Sequence, residues 1–210
     1  MVTSWPVRAG GLLAVAVLLL GGCSTPAGRL RVLAGAAGGP GTELLQVNPY
    51  DAAGAAAGIK VVLEATGNCQ SSNSDASNRN AFRCFIDQTD PSGGNIEDPC
   101  FAPPSDAGDG SLLCLTDPQA HSAVRVIPSQ RPQPSAIANA DPWYLQLEDG
   151  TLCALADGAT DELDGMRLNY SCVDDSYLYG DPDRGTPIWT IARKTDATPL
   201  GPARIARAWR

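Results

Sequence analysis

The chain has 210 residues, room for one domain of ordinary size, and is 43% hydrophobic but only 6% aromatic and 18% charged. Its 22 glycines and 17 prolines favour turns and loops over long helices. With 15 Lys+Arg against 23 Asp+Glu the formal net charge is −8, which speaks against nucleic acid, where neutralisation of phosphates by Lys and Arg supplies most of the affinity.

The first 22 residues read as a signal peptide. Arg8 supplies a positive start, residues 12–20 run LLAVAVLLL, and Leu20-Gly21-Gly22-Cys23 closes the segment. The apolar run is shorter than the roughly 20 residues that span a bilayer. Small residues before a cysteine resemble the lipobox of bacterial lipoproteins. The resemblance implies cleavage before Cys23, diacylglycerol on its thiol and acylation of the new amino terminus. That chemistry would place the protein outside the cytoplasm, lipid-anchored to the outer face of the cytoplasmic membrane. An ordinary secretory peptide with a chance cysteine is the alternative. Each buried methylene adds about 0.8 kcal/mol, so about two or three acyl chains hold a protein on a membrane. Cleavage would remove Arg8 and no acidic residue, leaving 14 basic side chains against 23 acidic ones, a formal −9. Anionic headgroups would repel such a surface, so the lipid itself must be the anchor.

Residues 23–41, rich in Gly, Ala, Pro and Ser, read as a flexible tether, and residues 42–210 as a single disulfide-stabilised domain. An alanine run suggests a short helix over 48–58, weakened by Gly54 and Gly58. Residues 60–65 suggest a strand. Residues 74–85 begin with helix-capping types and then offer Ala81, Phe82 and Phe85 at helical spacing, which predicts a short helix. Short strands are expected over 96–101, 112–116 and 123–127, followed by a proline-rich connection over 128–142.

The clearest pattern lies between Trp143 and Cys172. Trp143, Leu145 and Leu147 alternate with Tyr144, Gln146 and Glu148, the two-residue period of a half-buried strand. Asp149-Gly150 then suits a two-residue type I′ turn. Such a turn would set Leu147 beside Leu152 and Leu145 beside Ala154, and would put Cys153 on the opposite face with Tyr144 and Leu155. Met166, Leu168, Tyr170 and Cys172 alternate again as a third strand, and further strands are expected over 177–179, 188–192 and 204–209. The expected fold is therefore mainly β: an antiparallel sheet, barrel-like or sandwich, with one or two short helices. Asp109-Gly110-Ser111-Leu112 echoes Asp149-Gly150-Thr151-Leu152, a trace of duplication or simply two hairpin turns.

With Cys23 assigned to lipid, six cysteines remain, an even number in an exported protein and the condition for a disulfide framework. Their connectivity is not decided by sequence alone. Neighbour pairing is expected, Cys69–Cys84, Cys100–Cys114 and Cys153–Cys172, each closing a local loop worth about 3 kcal/mol on the chain-entropy model. No metal is expected: there is no Cys-x-x-Cys pair, and His121 is the lone histidine.

Several short motifs occur together in this stretch. They are Cys69-x-Ser-Ser, Ala81-Phe82-Arg83-Cys84, Asp98-Pro99-Cys100-Phe101, Asp149-Gly150-Thr151-x-Cys153, Arg167-Leu168-Asn169-Tyr170-x-Cys172 and Gly180-x-Pro182-Asp183-Arg184, with Trp189-Thr190. This set is similar to uncharacterised actinobacterial exported domains and covers roughly residues 69–209. The resemblance implies an export route and paired cysteines, and it carries no catalytic residue over.

Catalytic constellations lack parts. A nucleophile–histidine site would have to use His121, which sits between a turn and a strand and reads as a solvated loop residue. No Gly-rich phosphate loop follows a strand, so no cofactor is expected. Carboxylates are plentiful, and a pair of them can hydrolyse glycosides, but abundance singles out no pair. Two acidic loops, Asp157 to Asp164 and Asp174 to Asp183, lack the EF-hand spacing for calcium. The candidate binding surface is a ridge in which Tyr177 and Tyr179 face outward beside Asp174, Asp175, Asp181 and Asp183 while Leu178 anchors the core. The opposite register would pack both tyrosines inside. The sequence is thus expected to encode a non-catalytic binding or accessory protein of the cell envelope, with an envelope protein or a carbohydrate as partner. A cell-envelope hydrolase using two carboxylates is the rival reading.

Overall fold

The computed structural model describes residues 33–34, 41–51, 56, 58–87, 95–103, 109–156, 158 and 160–210. Cys23 and the signal peptide lie outside the described residues, as do Asp157 and most of the alanine run at 52–57. Of the expected tether, residues 33–34 and 41 are described.

Fourteen strands and no helix form among the described residues. The first, β1 (Leu33–Ala34), pairs with β2 (Glu43–Gln46). Five strands then close a barrel: β3 (Lys60–Ser71), β4 (Ala81–Ile86), β5 (Ile96–Phe101), β6 (Leu112–Cys114) and β7 (Ser122–Pro128). Neighbours run antiparallel, and the ring is closed by a parallel pairing of β3 with β7. Gly67 allows β3 and β4 to approach, since a Cβ there would stand 2.4 Å from the carbonyl oxygen of Phe85.

Six further strands form a second ring: β8 (Tyr144–Leu147), β9 (Leu152–Leu155), β11 (Met166–Cys172), β12 (Tyr177–Asp183), β13 (Thr190–Lys194) and β14 (Gly201–Trp209). It is antiparallel throughout and closes where β14 pairs with β8. The two-residue β10 (Glu162–Leu163) folds onto the start of β11, and β2 lies parallel to the last residues of β14.

Alternation along the strands divides the apolar residues among three cores. Phe82, Cys84, Ile86, Leu112, Val124 and Val126 fill the five-stranded barrel. Leu145, Leu147, Cys153, Tyr170, Leu178 and Ile205 fill the six-stranded one. The residues of opposite parity, among them Ala81, Phe101, Leu113, Tyr144 and Trp209, form a third core that joins the barrels. An aromatic series runs through it from Phe101 to Trp143 (6.3 Å), Tyr144 (5.6 Å) and Trp209 (5.8 Å). Tyr50 is buried in the same core, its hydroxyl 3.0 Å from the carbonyl oxygen of Phe101.

Three disulfides, Cys69–Cys84, Cys100–Cys114 and Cys153–Cys172, each join residues that face one another across adjacent strands. The bridges therefore staple strand pairs inside the barrels.

Three expectations need correction. No helix forms over 74–85: residues 72–80 make a turn, and 81–86 are strand β4, paired on both sides and cross-linked at Cys84. Tertiary pairing overrides a weak local helical preference. The Asp149-Gly150 turn is a three-residue loop, not a two-residue one. Leu147 N–H donates to Thr151 O (2.9 Å), Gly150 N–H donates to Leu147 O (3.0 Å), and Gly150 alone has positive φ (89°). The register moves by one, so Leu145 faces Cys153 and Tyr144 faces Ala154, which turns Cys153 into the barrel. The type I′ hairpin is instead Asp164-Gly165 (φ 51° and 76°), between β10 and β11.

The Asp-Gly echo does not extend to topology. Asp109 and Asp149 each accept the N–H two residues on. One barrel nevertheless closes in parallel and the other antiparallel.

Candidate functional site

The expected ridge divides. Leu178 is fully buried in the six-stranded barrel. Of the two tyrosines on the other face, Tyr177 is 41% exposed and Tyr179 only 7%. Asp174 is committed to a charge cluster around Arg193, accepting from Nη2 at 2.5 Å, while Asp149 accepts from Nη1 at 2.6 Å and Ser176 Oγ from Nε at 3.0 Å. The Thr151 N–H and Arg193 hold the Asp149 carboxyl down to about 2, and hydrogen bonding from Ser176 lowers Asp174. Asp183 accepts the Gly185 N–H at 2.9 Å. Asp175 adopts positive φ (61°) in the turn. Asp181 faces elsewhere, into a cleft.

That cleft has a volume of about 750 Å³ and takes its walls from both barrels. Asn73, Ser74 and Arg83 come from the first, and Asp141, Arg167, Asn169 and Asp181 from the second. The first wall is built on Asp98, which accepts the N–H groups of Asn73 (3.1 Å) and Ser74 (3.2 Å) and a hydrogen bond from the Ser72 hydroxyl. Beneath it, Asp75 is fully buried with one carboxyl oxygen unpartnered. Burial pushes Asp75 up to about 6 and raises Asp98 as well, against the opposing hydrogen bonds. Arg83 lies over the Phe85 ring at 5.6 Å, and its Nη1 is 3.8 Å from Asp98.

The second wall is set by Arg184. This guanidinium sits 4.9 Å above the Trp189 ring and donates to the carbonyls of Asn139 and Ala140 (3.3 Å each) and to Asp141 Oδ1 (2.6 Å). It thereby clamps the end of the proline-rich connection and presents Asp141 to the cleft. Asp141 and Asp181 both line the cleft, and Asp141 feels the charge of its neighbour. Burial and the Asp181 charge raise its pKa, opposed by Arg184. Asn169 Nδ2 donates to Asp181 Oδ1 at 2.9 Å. Behind this pair the Tyr170 hydroxyl is buried and donates to Pro142 O (2.8 Å).

No family model, curated protein or solved structure matches this chain.

His121 is exposed beside β7, and its backbone carbonyl accepts the Lys60 N–H (2.9 Å). Of the first acidic loop, Glu162 is in the β10 strand and Asp164 in its turn. Among the described residues, the only convergent group of ligand-type atoms is Cys84, Cys100 and Cys114, all engaged in disulfides. Sequence reasoning singled out Asp181 but not Asp141, Arg83, Arg167 or Asn169. Two-residue alternation does place Arg167 and Asn169 on the face opposite Tyr170. Nothing local marks Asp141 or Arg83, because the cleft exists only once the barrels meet.

Proposed function

We propose that this is a lipid-anchored, non-catalytic binding or accessory protein of the cell envelope. It is held outside the cytoplasmic membrane through Cys23 and receives a small ligand, or an extended group of a larger partner, in the cleft between the barrels. The observation that carries the reading is the cleft itself, a hollow of about 750 Å³ whose lining includes Arg83, Asp141, Arg167, Asn169 and Asp181, within the size range of small-molecule sites.

The carboxylate pair Asp141–Asp181 is the feature that favours the rival hydrolase. Its geometry fits poorly. Glycoside hydrolysis needs one carboxyl group free to act as acid and the other as base or nucleophile, whereas Asp141 is ion-paired with Arg184 and Asp181 is held by Asn169. Incubation of the full chain in detergent with isolated cell-wall fragments tests the choice. Fragments recovered from the protein should be chemically intact. New reducing ends or amino groups that disappear with Asp181→Asn would replace this reading with the hydrolase.

A further inference from the structure

Resting on the cleft as a ligand site, the geometry points to a small polyhydroxylated anion, a sugar carboxylate or sugar phosphate, with its acid group on Arg83 and Arg167 and its hydroxyls on Asp181 and Asn169. Arg83 provides the first reason. Its Nε is buried without a hydrogen-bond partner, and its nearest counter-charge, Asp98, lies beyond hydrogen-bond distance at 3.8 Å. That Nε is closed to water and so to a ligand, but the terminal nitrogens make no hydrogen bond among the described residues and the side chain lines the cleft, where an arriving acceptor can pair with them. The Phe85 ring beneath the guanidinium fixes its plane.

Arg167 reaches the same cleft from the other barrel. It commits Nε to Thr160 Oγ1 (2.8 Å) and Nη2 to Gly158 O (3.0 Å), and its Nη1 makes no hydrogen bond among the described residues. Two guanidinium groups on opposite walls suit a planar or tetrahedral oxyanion better than a neutral group.

The far end of the cleft offers acceptors. Asn169 has its Nδ2 committed to Asp181 Oδ1, and both residues line the cleft, which leaves the Asn169 carbonyl oxygen and the Asp181 carboxylate to act as acceptors. Hydroxyl groups are the matching donors. A fatty acid would satisfy the arginines but leave these acceptors unpaired. The Arg184 guanidinium, 2.6 Å from Asp141, offsets part of the negative charge an anion would meet there.

Titration calorimetry on the full chain in detergent, with glucuronate, glucose 6-phosphate, inorganic phosphate, glucose and glucosamine as probes, tests the ligand class. At least one sugar anion should bind about tenfold or more tightly than glucose, a difference of about 1.4 kcal/mol. That preference should fall about tenfold in Arg83→Gln and in Arg167→Gln, the latter a change at an exposed residue. Whichever anion prevails identifies the acid group. Glucose or glucosamine binding as tightly as the anions, or anion binding unchanged in both variants, overturns the class while leaving the cleft as a site. Inorganic phosphate binding as tightly as the sugar anions reduces the arginines to an adventitious ion site and overturns it too. Failure of all five probes removes both the class and the cleft as a small-molecule site.

Discussion

Leu145 lies directly opposite Cys153, and both side chains are fully buried inside the six-stranded barrel. The Cys153–Cys172 bridge continues that contact to the next strand. Cys153→Ala removes the cross-link and opens a gap beside Leu145. A stability loss of about 2–5 kcal/mol is expected, the usual range for a native bridge. A melting temperature unchanged from wild type would contradict this placement.

Asp75 should make stability depend on pH. Its carboxyl rises from 3.8 to about 6 in the folded protein, so the folded state keeps a proton that the unfolded state releases. The stabilisation is complete below about pH 4 and is lost as pH rises through about 6. It amounts to about 3 kcal/mol at 1.36 kcal/mol per pH unit. Asp98 shifts in the same direction, while Arg210 opposes the shift of Asp75. Asp75→Asn should flatten the dependence between pH 4 and 6. Denaturant midpoints measured across that window decide the matter, and parallel curves for the two proteins would refute the assignment.

Tyr177 and Tyr179 should respond differently to truncation. Tyr179→Ala empties a buried position and should cost about 3–5 kcal/mol, by analogy with Phe→Ala. Tyr177→Ala, at an exposed position, should change stability by less than about 0.5 kcal/mol. Equal large losses would remove Tyr177 as a surface contact.

The two bridges of the five-stranded barrel should exchange partners when one is reduced. The sulfur atoms of Cys84, Cys100 and Cys114 lie within 4.8 Å of one another, and Cys69 is the most accessible of the four. Attack of a dithiothreitol thiolate on Cys69 would form a mixed disulfide and release Cys84 as a thiolate beside the Cys100–Cys114 bond. Ring closure of the dithiothreitol then frees Cys69, and Cys84 attack on the second bridge expels Cys100 or Cys114 as a thiolate. Brief reduction, acid quenching, alkylation with N-ethylmaleimide and peptide mapping should recover Cys84 bridged to Cys100 or Cys114, with Cys69 and the expelled cysteine alkylated. Recovery of alkylated Cys69 together with alkylated Cys84 would exclude the exchange.

Cys23→Ala should release the protein from membranes and abolish fatty-acid labelling. Persistent labelling would defeat the lipid anchor.

Period-two alternation across residues 143–147 and 166–172, and the short spacing between cysteines, are local properties, and they were sufficient to read a stapled β protein from the chain. Three things depended on the tertiary structure. The hairpin register rests on whether one or two residues of Asp149-Gly150 take positive φ, a choice made by packing Leu145 and Cys153 in one core rather than by turn propensity. Residues 81–86 carry helical spacing, and pairing with strands on both sides overrode it because backbone hydrogen bonds and a cross-strand disulfide outweigh tenths of a kilocalorie of propensity. The cleft was decided last. Arg83 belongs to one barrel and Arg167 to the other, and no periodicity links them, since a site between two closed sheets is a relation between surfaces rather than a pattern along the chain.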